Sequence, residues 1–358
     1  MKTYNTNSNK EGTPSEYGIQ LKRTPEDFQV FEVQNNSEFG KRYNVEESKY
    51  KDILLIKRNM STFEAVDILA NKLHIDKKLI GYSGMKDEEA VTTQHITVPS
   101  KLYQKDYHIS SEYGKILSTS LYGYREYPLQ VGDLAGNSFK IKIRNIKENL
   151  ADLWPRVENY HIDFINYYDT QRFGVPGGSY NTHLIGMFIG LEEYDLAFEL
   201  LKNSGSKESA LAKLHEGTSE SFFLNILDPR VIAFYQSSYY SFIWNKNIGD
   251  KIKSIGETNE VSRHGINYVF PKTQNINFIP DKENYTTVRV IGDKIHYLQR
   301  ERLVKIGVNM IVSDLELDAL NQGSFSSTIQ FFLPSGSYAT MVIEQFLQTL
   351  FLQGREHL

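Results

Sequence analysis

The segment from Gly81 to Gln94, GYSGMKDEEAVTTQ, combines residue types that can carry polar chemistry. A short strand runs into a glycine turn, which presents Lys86 and Asp87 side by side. Short loops between strands are where a scaffold often places reactive side chains. A carboxylate beside a cation stays ionised, which suits a nucleophile or a general base. On its own this pattern is more often a solvated turn, so its interpretation depends on the rest of the chain.

Three further segments carry groups suited to the same chemistry. They are LKRTPEDFQVFE (21–32), NYYDTQRFGVPGGS (166–179) and FFLPSGSYAT (331–340). Each also has a structural explanation, because Phe28 and Tyr338 are typical core aromatics and Lys22 is a typical solvated strand end. The glycine-rich run after Arg172 lacks the GxxxxGK[ST] pattern, which argues against a nucleoside-triphosphate site.

Composition excludes several classes of protein. The 358 residues include no cysteine, so disulfides, thiolate nucleophiles, zinc fingers and iron–sulfur clusters are excluded. No two of the nine histidines have the spacing of a local metal pair. A net charge of −4 argues against indiscriminate binding to nucleic acid but is compatible with a local basic cleft. The N-terminus lacks an apolar signal-peptide core and no window approaches a membrane span, so we expect a cytoplasmic protein.

Local signals predict the elements that position these segments. Ser61 and Glu64 form a capping box at the start of a helix that leads to the Gly81 loop. Its predicted apolar stripe consists of Phe63, Val66, Leu69, Ala70 and Leu73. Asp228 and Pro229 predict the start of a second helix, over 229–247.

Residues 138–146, SFKIKIRNI, alternate between apolar and basic side chains. The period of two predicts a half-buried strand. Its basic side consists of Lys140, Lys142 and Arg144. The pattern leaves open whether that side is merely solvated or faces RNA.

Taken together, the four segments resemble the TruD family of tRNA pseudouridine synthases. The family's GxKDxxAxTxQ motif is present from Gly84 to Gln94, and its NYFGxQRFG motif as NYYDTQRFG. LAGNSFKIKIR (134–144) and QSSYYSFIWN (236–245) also resemble family segments. The order and spacing match from about Lys22 to the C-terminal helix.

The resemblance implies roles for particular residues. Asp87 matches the catalytic aspartate, and Lys22 matches a basic residue that keeps this carboxylate charged. The matched substrate-binding positions are Lys22, Phe28, Asn166, Tyr168, Gln171, Arg172 and Tyr338. Tyr168 stands where the family usually has a phenylalanine that stacks on the flipped uracil. Asp169 stands where the family usually has glycine; if this turn needs a left-handed backbone, Asp tolerates it better than most residues. We expect activity to persist because neither change touches Asp87.

The resemblance also implies the architecture. We expect an α+β fold in which a mixed, mainly antiparallel sheet with helices forms the catalytic core, plus an inserted α/β domain. The expected boundaries are a flexible N-terminus (1–16), the first part of the catalytic domain (17–192), an inserted domain that helps clasp tRNA (193–312) and the C-terminal part of the catalytic domain (313–358). We expect a basic cleft lined by Lys22, Arg23, Lys86, Lys140, Lys142, Arg144 and Arg172.

The function implied is conversion of a specific tRNA uridine, expected to be uridine 13 in the D arm, to pseudouridine by a monomer. The partner is tRNA, and no cofactor, group donor, metal or membrane is required. The aspartate could attack C1′ of the ribose or remove the proton from C2′, and the sequence leaves both routes open.

Two alternatives come from other functional classes. One is a non-catalytic tRNA-binding protein, although such a module has no need of a carboxylate beside an anionic ligand. The other is a glycosidase-type or nuclease enzyme in which Glu88 or Glu89 serves as a second acid beside Asp87.

Overall fold

The chain contains strand-rich segments and a run of consecutive helices in a computed structural model that describes residues 18–35, 48–111, 113–155, 159–175, 177–272 and 276–356. The strands are β1 Phe28–Val33, β2 Tyr50–Arg58, β3 Gly81–Tyr82, β4 Val91–Pro99, β5 His108–Ser110, β6 Ile116–Arg125, β7 Gly136–Ile146, β8 Tyr160–Ile165, β9 Thr258–Arg263, β10 Ile266–Pro271, β11 Lys282–Ile291, β12 Lys294–Leu303, β13 Lys305–Val312, β14 Glu316–Leu317 and β15 Phe325–Pro334. The α-helices are α1 Thr62–Leu73, α2 Glu148–Ala151, α3 Thr182–Gly190, α4 Tyr194–Lys202, α5 Lys207–Leu214, α6 Ser219–Ser221, α7 Pro229–Lys253 and α8 Ala339–Glu356. None of the described helices is both long and apolar enough to cross a membrane.

A large mixed sheet organises the fold. In the described residues it has eleven strands in the order β5-β6-β2-β4-β1-β7-β15-β13-β8, with β14 beside β15 and β3 beside β4. Strands β1 and β4 run parallel, whereas β1–β7, β7–β15, β2–β4 and β2–β6 are antiparallel. Two separate hairpins, β9–β10 and β11–β12, lie outside this sheet. The predicted α+β class, with a mainly antiparallel sheet and helices, is confirmed.

The chain forms two compact units. The first comprises the described residues within Met1–Ile162, Val308–Ala339 and Gln353–Leu358, and the second those within Asp163–Gly307 and Thr340–Leu352. The expected flexible N-terminus (1–16) lies outside the described residues. The expected domain boundaries after 192 and 312 stay a prediction.

Helix α1 contributes to one core cluster together with residues of β2, β4 and β6. Its cap forms as predicted, since the Ser61 hydroxyl accepts a hydrogen bond from the Glu64 amide at 3.1 Å. The buried face consists of Thr62, Ala65, Val66, Leu69 and Ala70. Phe63 was assigned to this face wrongly, because its side chain is one residue out of phase with it and remains 54 % exposed.

The second unit is built around the packing of α3 on α7. Helix α7 begins at the predicted cap, where the Asp228 carboxylate accepts from the Arg230 amide at 2.8 Å, and it continues to Lys253. Gly186 of α3 lies directly against the backbone of Tyr235, so a Cβ added there would overlap the Tyr235 carbonyl oxygen. The close approach of these helices therefore requires glycine at 186.

We predict that Gly186→Ala lowers the free energy of unfolding by about 1–3 kcal/mol, because the added methyl group must displace backbone. The matched control is Gly190→Ala in the same helix, where nothing lies within 4 Å of the added Cβ. That change should leave the free energy unaltered or raise it by up to about 1 kcal/mol. Urea denaturation followed by tryptophan fluorescence checks both, and equal effects would contradict the packing argument.

Candidate active site

Three of the residues singled out in the sequence meet in the first unit. The Lys22 Nζ atom donates a hydrogen bond to Oδ1 of Asp87 at 2.8 Å. The same ammonium lies 4.2 Å from the centre of the Phe28 ring, within the range of a cation–π contact. The Lys22 side chain is only 6 % exposed, whereas 25 % of the Asp87 side chain remains accessible. The Asp87 carboxylate therefore remains partly accessible to solvent while the ammonium that pairs with it is buried.

The backbone around Lys22 is held in an uncommon conformation. Its φ is +54°, in the left-handed region that few residues other than glycine adopt. Two backbone hydrogen bonds of 2.9 Å join the preceding Gln20 to Arg144 of β7. The Arg144 guanidinium donates two hydrogen bonds of 2.8 Å to the Asp27 carboxylate. These contacts pin both sides of the turn and hold the Lys22 side chain in place.

The basic side of β7 is therefore not free to face RNA as a whole. Arg144 also pairs with Asp318 at 2.9 Å, and Lys142 pairs with Glu316 at 3.2 Å. Lys140 remains exposed. The expectation that Arg144 lines a basic cleft was wrong, because its charge is used to join segments of the protein.

Lys57 is a buried cation beneath the Asp87 loop. Its ammonium donates to the backbone carbonyls of Met60 at 2.7 Å, Asp87 at 2.5 Å and Lys86 at 3.3 Å. An ammonium has three donors, so these carbonyls match its full capacity. Burial, only partly opposed by the charge of Asp87, lowers the pKa of Lys57 to about 8. Lys57 thus fixes the backbone that carries the carboxylate.

The electrostatic environment keeps Asp87 ionised. Burial by itself would raise the pKa of its carboxyl group. The nearby charges of Lys22 and Lys57, together with the Lys22 hydrogen bond, outweigh that effect, so the pKa of Asp87 lies below its usual value. A carboxylate that is charged and accessible at neutral pH can act as a nucleophile or a base.

Lys86 is turned away from the Asp87 carboxylate. Its Nζ lies 2.5 Å from Oε2 of Glu32 on β1, and the two side chains are 4 % and 0 % exposed. Glu32 also accepts hydrogen bonds from the His95 amide at 3.2 Å and from Gln34 at 2.5 Å. Lys86 was therefore placed wrongly in a basic lining, since its charge anchors the loop to the sheet.

The polar C-terminal end of the Gly84–Gln94 motif also supports the loop. Gln94 donates to the Gly84 carbonyl at 3.2 Å and accepts from the Thr62 hydroxyl at 3.0 Å. The Thr62 hydroxyl accepts in turn from the Lys86 amide at 3.0 Å. The Gly84–Gln94 motif thus folds back on itself around a helix terminus.

Asn166 and Tyr168 lie in the second unit. The Nδ2 atom of Asn166 donates a hydrogen bond of 3.0 Å to the carbonyl of Leu303, the last residue of β12. The side-chain amide of Asn245 accepts a hydrogen bond from the Tyr168 backbone N–H at 2.9 Å and donates one to the Tyr168 carbonyl at 2.8 Å. The guanidinium of Arg302 stacks 3.9 Å from the Tyr168 ring centre and donates to the Asn166 carbonyl at 2.9 Å. These contacts fix the orientation of the Tyr168 ring, which is buried with 8 % of the residue exposed.

The remaining sequence-predicted residues have clear positions. Gln171 is exposed on a single 3₁₀ turn, Thr170–Arg172. Arg172 donates to the hydroxyls of Ser237 at 2.6 Å and Ser241 at 3.2 Å on α7. Tyr338 is half-buried immediately before α8, in the first unit.

Asp169 is a buried anchor, with 3 % of the residue exposed. Its φ and ψ are −73° and 165°, so the turn does not need a left-handed residue here. The Thr340 hydroxyl donates to its Oδ2 atom at 2.7 Å, and an Arg263 guanidinium nitrogen lies 4.0 Å from Oδ1. Arg263 also pairs with the buried carboxylate of Glu344. Two buried carboxylates therefore share one guanidinium.

Comparison with known proteins places the chain in a family. The family model described as tRNA pseudouridine synthase D (TruD) matches residues 9–210, more than half of the chain. The chain belongs to the TruD family of tRNA pseudouridine synthases. It is accordingly an isomerase that acts on tRNA.

Individual relatives agree with the family assignment. A probable tRNA pseudouridine synthase D 2 from Methanocaldococcus jannaschii is 25 % identical, with 91 % of each chain aligned. A tRNA pseudouridine synthase D from Legionella pneumophila is 27 % identical, over 94 % of this chain and 98 % of its own. The crystal structure of a candidate TruD from Methanosarcina mazei has a TM-score of 0.58 at 19 % identity, covering 94 % of this chain and 95 % of its own, and supports the fold alone.

Sequence reasoning missed Lys57, Glu32, Arg263 and Arg302. A signal for Lys57 was present, because in DILLIKR it shares the inward register of Ile53 and Leu55. Nothing near the others in sequence marks their partners. Among the described residues, no group of three or more His, Asp or Glu side chains is placed to hold a metal ion.

We predict that Lys22→Gln moves the acid limb of the kcat–pH profile to higher pH. Removing the main opposing cation leaves burial to raise the Asp87 pKa, so the carboxylate becomes protonated at a higher pH than in the intact enzyme. The pH dependence of kcat on a tRNA transcript measures the limb. Lys101→Gln, an exposed lysine in the same unit, should leave it in place. An unmoved limb in Lys22→Gln would refute the ion-pair account.

We expect Arg263→Met to lower the free energy of unfolding by about 3–5 kcal/mol, because it leaves Asp169 and Glu344 buried without their shared cation. Adding Glu344→Gln should restore part of this loss, since one uncompensated charge is removed. Chemical denaturation measures both variants. Lys282→Met, which breaks the exposed pair with Glu301, is the control and should cost less than about 1 kcal/mol. Failure of Glu344→Gln to recover any stability would show that the two carboxylates do not share Arg263.

Proposed function

We propose that this protein converts uridine 13 in the D arm of tRNA to pseudouridine, with Asp87 as the catalytic carboxylate. The observation that carries the proposal is the Lys22–Asp87 pair, in which a buried ammonium keeps a partly accessible carboxylate charged. Family membership supports the reaction class, and the position of Asp87 in the Gly84–Gln94 motif supports its role.

The reaction is an isomerisation. The N1–C1′ glycosidic bond breaks, the uracil turns, and C5 forms the new bond to C1′. The proton on C5 is released and N1 takes up a proton, so the mass of the nucleotide does not change. The balance needs no oxidant, reductant or group donor, and the proposal therefore includes no cofactor.

Both routes open to Asp87 require its ionised form. In one route the carboxylate attacks C1′ and forms a covalent glycosyl intermediate; in the other it takes the C2′ proton. Among the described residues, Lys22 is the one side chain that donates to this carboxylate, and it uses Oδ1. Oδ2 consequently has no side-chain donor there and can face the ribose in either route.

Binding of the target nucleotide is assigned to Lys22, Phe28, Asn166, Tyr168, Gln171, Arg172 and Tyr338. The uridine has to leave its stack before its sugar can reach Asp87. Stacking of a free base on an aromatic ring is worth about 1–3 kcal/mol. We propose that the enzyme acts as a monomer in the cytoplasm, with tRNA as its partner.

The decisive experiment is tritium release from an unmodified tRNA transcript labelled at uracil C5. We predict release by the intact protein and a loss of at least about 10³-fold in Asp87→Asn, because an amide can neither attack C1′ nor accept the proton. Mapping the pseudouridine in the product tests position 13 separately.

Glu88→Gln provides the matched control, since it makes the same isosteric change at the neighbouring exposed carboxylate. It should retain activity, and loss of activity there would favour a two-carboxylate enzyme. Tight tRNA binding without tritium release from any transcript would instead indicate a binding protein.

A further inference from the structure

Three consecutive carbonyl groups of the Asp87 loop are bound by the end of β2 and the residues just after it. The carbonyls of Lys86 and Asp87 accept hydrogen bonds from the Lys57 ammonium, at 3.3 and 2.5 Å. The Glu88 carbonyl accepts from the backbone amide of Met60 at 3.1 Å. The backbone is therefore fixed on both sides of Asp87, and two of these three contacts come from a single side chain.

The Lys57 side chain is itself held at a fixed point. Its backbone lies inside the large sheet, where β2 pairs with both β4 and β6, opposite Thr92 and Leu117. The residue is 0 % exposed. Its ammonium also donates to the carbonyl of Met60 at 2.7 Å. The position of the Asp87 loop relative to the sheet consequently depends on this one ammonium group.

The number of donors that Lys57 offers depends on its protonation state. An ammonium has three N–H donors, and the three carbonyls of Met60, Lys86 and Asp87 use all of them. A neutral amine has two N–H donors and a lone pair, so one of the three carbonyls would lose its donor. The lone pair would also face carbonyl oxygens, which repel it. A buried acceptor without a donor is costly, so we expect the loop backbone to shift when Lys57 loses its proton.

The surroundings bring this proton loss into an accessible pH range. Burial lowers the pKa of Lys57 to about 8. The charges of Asp87 and Glu88 oppose that effect, whereas Lys86 and Lys22 add to it. The neighbours of Lys57 on the two adjacent strands, a threonine and a leucine, do not titrate. Both activity and stability can be measured on either side of this pH.

We infer that Lys57 is a positioning residue for the reaction, and that its ammonium form, not the neutral amine, holds the Asp87 carboxylate in its productive place beside Lys22. The inference rests on the proposed catalytic role of Asp87 and adds to it a proton-dependent control of the same site. Loss of the Lys57 proton inactivates the enzyme through the geometry of the loop, with Asp87 still ionised. The alternative is that Lys57 only fills space, in which case a side chain of the same size would serve equally at every pH.

The first test is the pH dependence of kcat/KM on a tRNA transcript, which reports the ionising groups of the free enzyme. We expect the intact protein to lose activity above about pH 8. Lys57→Met should lack this basic limb because methionine does not titrate. Any limb caused by ionisation of the substrate uracil remains in every variant, so the comparison isolates Lys57.

Lys51→Met is the matched control. Lys51 lies in the same strand, and its ammonium also donates to a backbone carbonyl, that of Tyr103 at 2.6 Å. This variant should keep the basic limb of the intact protein. At pH 7, Lys57→Met should lower kcat by about 10–100-fold, because displacement of a catalytic group by about 1 Å has an effect of that size. Its KM should stay within about twofold, since no group assigned to substrate binding is removed.

The second test observes the intact protein without turnover. Lysine labelled with carbon-13 at Cε reports the proton on each ammonium group by NMR. We expect one lysine signal to titrate near pH 8 and to be absent from Lys57→Met. The backbone amide signals from Lys86 to Ala90 should shift with the same midpoint, because the loop follows the Lys57 proton.

Stability should change with pH in the opposite direction to activity. The folded-state pKa of Lys57, about 8, lies below the value of about 10.4 for a lysine in an unfolded chain. Between these two pH values the unfolded chain binds more protons than the folded one. The free energy of unfolding of the intact protein should therefore rise over this range relative to Lys57→Met. Urea denaturation of both proteins at several pH values measures the difference.

Three results would overturn the inference. The first is a basic limb near pH 8 that persists in Lys57→Met, and the second is an equal loss of that limb in Lys51→Met. The third is a set of loop amide signals that stay unchanged while the Lys57 signal titrates. The NMR result does not depend on activity, so it decides the matter even where Lys57→Met folds poorly.

The proposed function and this inference can fail separately. A protein that releases no tritium from any tRNA, but whose loop amides titrate together with Lys57, keeps the proton-dependent loop and loses the proposed reaction. Normal tritium release with the same basic limb in the intact protein and in Lys57→Met keeps the reaction and rejects the role of the Lys57 proton.

Discussion

An ionised carboxylate that has lost much of its water is stable only where fixed cations replace the solvent. Lys22 supplies such a cation at 2.8 Å from Asp87, and Lys57 supplies another from beneath the loop. Much of the first unit can be understood as support for this arrangement. Contacts with strand β7 hold the rare backbone conformation of Lys22. The Lys57 ammonium holds the loop that carries Asp87 by donating to backbone carbonyls.

Two of the cations expected to line a basic cleft instead join segments of the protein. Lys86 is buried on Glu32, and Arg144 joins Asp27 to Asp318. Removing either cation would leave a buried carboxylate uncompensated, which is why such pairs are costly to break.

The second unit shows how one departure from a family pattern is accommodated. Asp169 replaces a residue that is usually glycine in the resembled motif, yet its backbone is extended and unstrained. Contacts with Thr340 and Arg263, which are distant in sequence, offset the free-energy cost of burying the Asp169 carboxylate. The turn that carries Tyr168 is consequently anchored by side-chain contacts, whereas a glycine would contribute only conformational freedom.

The sequence by itself determined the family, the pairing of Lys22 with Asp87 through that resemblance, and the local starts of helices. Caps such as Ser61 and Asp228 were readable because donor and acceptor lie within a few residues of each other. Only the tertiary structure decided where the other charges go. Lys57 meets a carbonyl 30 residues away, and Arg144 meets Asp318 across 174 residues. Such partners leave no periodic or local signal, because folding alone brings their segments together.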